Sequence, residues 1–74
     1  MKRVEIEWMD SRWCVDGWED IVDLEPIPPF RCYSRGWVVD EIEEYITLAL
    51  TINQQEILGR LTIPKCAILS TKEE

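Results

Sequence analysis

Val4, Ile6 and Trp8 alternate with Arg3, Glu5 and Glu7, the period-two pattern of a half-buried strand that ends near Asp10. From residue 10 to residue 29 the alternation stops, and Pro26, Pro28 and Pro29 remove backbone donors that a central strand would need. A long loop is predicted there. Within it, Asp16 followed three residues later by Glu19 resembles a capping box, which predicts one or two helical turns over residues 17–24. Trp18, Ile21 and Val22 would then face the rest of the fold, with Asp16, Asp20 and Asp23 toward water.

Residues 30–39 are rich in aromatic and β-branched side chains, with Gly36 at a place where a strand bends or another backbone comes close. The acidic stretch at 40–44 separates this long second strand from Tyr45 to Ile52, where Ile46, Leu48, Leu50 and Ile52 alternate with Thr47, Ala49 and Thr51. A polar turn at 53–56 leads into Ile57, Gly59, Leu61 and Ile63, with Leu58, Arg60 and Thr62 opposite. Pro64, Lys65 and Cys66 suit a single 3₁₀ turn before a short last strand at 67–71.

The chain therefore reads as one all-β unit over residues 1–74: a small five-stranded SH3-like or Sm-like barrel, with a long first loop carrying a short helical turn. Closing the sheet would remove most of its exposed edges. An OB-type barrel competes, but it usually has a longer chain and a helix between its third and fourth strands.

Composition then narrows the function. The chain has 74 residues and a net charge of −7, with eight basic residues against fifteen acids, which opposes a phosphate backbone as partner. Residues 45–72 carry the less acidic surface. No apolar run reaches the length of a membrane span or a signal-peptide core, so an intracellular protein is expected, with no membrane contact.

Cys14, Cys32 and Cys66 are odd in number and lack a CxxC spacing, which predicts free, buried thiols and neither a disulfide framework nor a zinc site. The absence of histidine removes Ser-His and Cys-His nucleophile pairs and imidazole ligands. A non-catalytic protein with no cofactor and no metal is the expectation.

The residues also carry a resemblance. Val4 to Ser11, Gly17-Trp18, Arg31 to Val39, Tyr45 to Ala49 and Ile63-Pro64-Lys65 together look like a group of small uncharacterised bacteriophage proteins, over most of the chain. These motifs are strands and turns, not chemistry. The segment from Leu61 to Leu69 is similar to the closing strands of Sm-like folds, some of which form rings, although the basic RNA-reading loop of Sm proteins has no counterpart here. The resemblance implies a phage protein in the host cell cytoplasm.

Four tryptophans are many for this length. Trp8 and Trp37 fall in strands and are expected in the core. Trp13 and Trp18 fall in the long loop, and with Tyr33 they are the best candidates for a contact surface, by analogy with the ligand groove of SH3-like barrels. Asp16, Asp20 and Asp23 would offer carboxylates to a basic partner.

Two functions are thereby expected. The first is a protein-binding module acting on a bacterial host protein, in host takeover or against a defence system. The alternative is an Sm-like oligomeric barrel that binds RNA or a nucleotide through Arg31, Arg35, Arg60 and Lys65. Net charge favours the first; a homo-oligomer is possible, and a ring of copies would favour the second.

Overall fold

The computed structural model describes residues 1–13 and 17–74. It shows five antiparallel strands in one sheet: β1 (Arg3–Asp10), β2 (Phe30–Glu41), β3 (Tyr45–Ile52), β4 (Ile57–Pro64) and β5 (Ile68–Glu73). Two 3₁₀ turns, η1 (Ile21–Asp23) and η2 (Lys65–Ala67), interrupt the connections. The spatial order is β4-β3-β2-β1-β5, so β1 to β4 form a meander and β5 returns to the free edge of β1. The expected strands all form, and the second and last run slightly further than their patterns predict.

Alternation sets the faces. Val4, Ile6, Ile46, Leu48 and Ile63 are buried together on the inner face, with Trp8, Val38 and Ile68 packed against them. Registers place Val4 opposite Gly36, Val38 opposite Leu48 and Ile46 opposite Ile63, which brings these side chains into one layer. The sheet curls about this layer until η2 lies against β1. Lys65 N–H donates to the Glu44 carbonyl at 2.8 Å, tying the start of η2 to the turn before β3.

At Gly36 the backbones of β2 and β3 come close. A Cβ there would lie 2.6 Å from the Ala49 carbonyl oxygen, so only glycine permits this approach. A register shift between Val38 and Asp40 then adds a bulge, which bends the long strand as its glycine predicts. On the outer face, Thr47 is buried and its Oγ1 shares a hydrogen bond with Thr62 Oγ1 at 2.8 Å. Asn53 Oδ1 accepts from the Gln55 and Glu56 backbone N–H groups, which fixes the β3–β4 turn.

Several expectations are corrected. No ladder joins β4 to β5 among the described residues, and both remain edges of an open sheet. The helical turn in the long loop shrinks to η1, whose preceding residue Asp20 makes no side-chain cap bond. The proposed capping residue, Asp16, lies outside the described residues.

Trp18, Ile21 and Val22 do not face the sheet: they are 105%, 85% and 90% exposed. A three-residue turn flanked by extended Asp20 and Leu24 has no amphipathic stripe to bury, so the helical face assumed for it does not exist.

Trp37 is half-buried, but on the outer face, where the Arg3 guanidinium stacks 5.0 Å from its ring centre. Its register explains this, since its neighbour Gly36 occupies the inner position opposite Val4. Cys32 and Cys66 are free thiols, but neither is buried as expected: Cys32 is half-buried and Cys66 is exposed. Cys14 lies outside the described residues.

Candidate functional site

The first loop, residues 11–29, leaves β1 at Asp10 and re-enters β2 at Phe30, where the two residues pair across the ladder. Every described residue in it is exposed. Trp13, Trp18, Ile21, Val22, Leu24 and Ile27 all hold their apolar side chains in solvent. Single exposed apolar residues are ordinary; a run of them in one segment is a larger apolar exposure than that.

The local sequence keeps this segment off the sheet. Pro26, Pro28 and Pro29 fix extended backbone and cannot join a ladder, and Asp20 and Leu24 are extended on either side of η1. Proline also limits the freedom that would be lost on docking, so the segment is partly ordered in advance. Glu19, Asp20, Asp23 and Glu25 intersperse its apolar side chains with negative charge. At its root, the Arg12 guanidinium stacks over the Phe30 ring at 4.7 Å.

Of the candidate contact residues, Trp13, Trp18, Asp20 and Asp23 therefore share one exposed segment, and Asp16 lies outside the described residues. Tyr33 sits elsewhere, on the outer face of β2, with its hydroxyl donating to Glu7 Oε2 at 3.5 Å. The sequence pattern predicts Ile21 and Val22 facing the rest of the fold and assigns no role to Leu24 and Ile27. The acids and prolines between these residues were the signal that they are unsuited to a core.

The basic candidates are dispersed and mostly paired. Arg31 Nε is 3.2 Å from Glu7 Oε2, and Arg35 Nε donates to Glu5 Oε2. The Glu5 hydrogen bond, and then its charge, raise Arg35 above its ordinary value. Ser70 Oγ adds a bond to Glu7 Oε1 at 3.3 Å, so β5, β1 and β2 share a polar ladder across their outer face.

Lys65 Nζ lies 2.8 Å from Glu41 Oε2, and this hydrogen bond followed by the lysine charge holds the Glu41 carboxyl below its usual range. Arg60 stands on β4 opposite Ala49 and makes no ion pair with any described residue. Three of the four basic side chains are thus already neutralised by neighbours, which weakens the set as an anion site.

The chain matches no family model, no curated protein and no solved structure.

Among the concavities of the sheet, two border core side chains. One, of about 310 Å³, opens beside Val4, Val38, Ile46 and Ile68, with the Lys65–Glu41 pair on its rim. The second, of about 190 Å³, lies between Ser34, Arg35, Leu48, Leu50, Gly59 and Leu61. The described residues contain no group of three or more Cys, Asp or Glu placed to hold a metal ion, and no helix long and apolar enough to cross a membrane. The arrangement offers burial of apolar area, hydrogen bonding by carboxylates and a fixed scaffold, which are the means of protein recognition.

Proposed function

We propose that the chain is a non-catalytic protein-binding module whose first loop is the contact segment and whose sheet is an SH3-like or Sm-like barrel left open. One observation carries this reading: Trp18, Ile21 and Val22 stand fully in solvent on an acidic, proline-stiffened loop. The strand order, the long first loop and the 3₁₀ turn before β5 support the barrel. The partner has an apolar groove bordered by basic side chains. The phage resemblance makes it a host protein in the bacterial cytoplasm, engaged in takeover or in blocking a defence.

The test is affinity purification from phage-infected bacteria with wild-type chain, a Trp18→Ala/Val22→Ser variant and an Arg31→Gln/Arg35→Gln/Arg60→Gln variant. A partner retained by the wild type and the arginine variant, and lost by the loop variant, supports the reading. Tight RNA or nucleotide binding by the wild type, abolished by the arginine changes, would replace it with the Sm-like alternative.

A further inference from the structure

We infer that the chain also binds a second copy of itself, with Trp18 of one copy seated in the Leu50–Gly59–Leu61 groove on the other copy's β3–β4 hairpin. This rests on the reading of the first loop as a contact segment and names one of its occupants. Three observations lead to it.

The first is the groove. Inner-face alternation on β3 and β4 continues past the core, so Leu50 is 69% exposed and Leu61 and Ile57 are also uncovered. Gly59 lies between them at φ +73, and a Cβ there would meet Leu50 Cβ at 3.3 Å. It lies in an open depression of about 190 Å³ that Ser34, Arg35, Leu48, Leu50 and Leu61 also line. A cavity of roughly 150 Å³ accepts a benzene ring, so this one takes a single aromatic side chain.

The second is charge. Residues 17–30 contain four acids and no base, whereas residues 57–72 contain Arg60, Lys65 and Lys72 and no acid. Arg60 follows Gly59 on the edge strand β4 but projects from the opposite face to the groove, without an ion-pair partner among the described residues, so Glu19 and Asp20 of an incoming loop would meet it across that edge.

The third is area. Trp18, Ile21, Val22, Leu24 and the groove residues together expose apolar surface on the order of 1,000 Å² per copy, comparable with the roughly 800 Å² per partner of a standard interface. Both surfaces are bare within one chain, so the cover comes from outside it. A two-fold exchange satisfies both sites on both copies and closes without leaving a free end.

Sedimentation and native mass spectrometry tests this with the wild type, Trp18→Ser, Leu50→Glu and an equimolar mixture of the two variants. The wild type is expected to dimerise, and each variant alone to associate at least about tenfold more weakly. Leu50 is exposed, so its replacement leaves the circular dichroism of the sheet unchanged. The mixture regains a heterodimer, because one intact loop then meets one intact groove.

A wild type that stays monomeric up to about 1 mM, dimers indifferent to both substitutions, or a mixture that recovers nothing would overturn the inference. Capture of the host partner separates the two readings. A monomeric chain that loses its partner on Trp18→Ser keeps the proposed function and rejects self-docking. A dimer that needs Trp18 and Leu50, with no partner lost on Trp18→Ser, does the reverse.

Discussion

At the scale of single residues, the tightest constraint is Gly36. With its Cβ position 2.6 Å from the Ala49 carbonyl oxygen, Gly36→Ala must push β2 and β3 apart, and overpacking of this kind costs about 1–3 kcal/mol. Urea denaturation measures it, and a change below about 0.5 kcal/mol would show that the two strands separate freely. Leu48 makes the opposite case: it is 2% exposed among Val4, Ile6, Ile46 and Ile63, so Leu48→Ala should open a cavity costing about 2–5 kcal/mol. Surface charge acts more weakly and with a definite sign. Because Lys65 lowers the folded-state pKa of Glu41, their pair stabilises fully above the ordinary glutamate value near about 4.3 and is lost as pH falls through the folded value. The stability difference between wild type and Lys65→Met should therefore be constant at neutral pH and shrink on acidification, as denaturation curves at several pH values will show.

At the scale of elements, the sheet and the first loop are largely separate. Every described loop residue is exposed, so replacing residues 12–28 by a short glycine-containing turn should leave the Asp10–Phe30 pairing intact. It should also stabilise the sheet by about 1 kcal/mol, since closing a shorter loop costs less entropy. A loss of more than about 2 kcal/mol in thermal or chemical denaturation would mean that the loop packs on the sheet after all. This separation also explains what was legible in the sequence. Ile46, Leu48 and Ile63 announce their strands because one face is buried and every second side chain must be apolar. Gly36 announces the close approach because no other residue allows it. Periodicity carries no such information for Ile21 and Val22, where a three-residue turn presents no face, so the helical face expected for them together with Trp18 does not form, and Trp18 stands exposed as a contact candidate must. Leu50 continues the pattern of Leu48, but the strand outruns the core that would cover it. The paired arginines were illegible for another reason, since cross-strand partners such as Arg35 and Glu5 depend on register, which local pattern does not fix.

At the scale of the whole molecule, shape is the property that links the loop to its proposed partners. The radius of gyration is 16.3 Å and the principal extents are 55 × 22 × 20 Å, whereas a compact chain of this length has a radius near about 11 Å. A small open sheet that also extends an apolar, acidic segment has less core per residue than its composition permits, and the proposed association would cover the remainder. The same geometry distinguishes docking between copies from folding back within one. The Leu50→Glu variant, held monomeric, should show a radius close to 16.3 Å by small-angle X-ray scattering, and shortening its loop should lower that value. If the monomer instead measures near about 11 Å, the loop has closed onto its own hairpin, and the groove beside Gly59 is filled in cis rather than by a second chain.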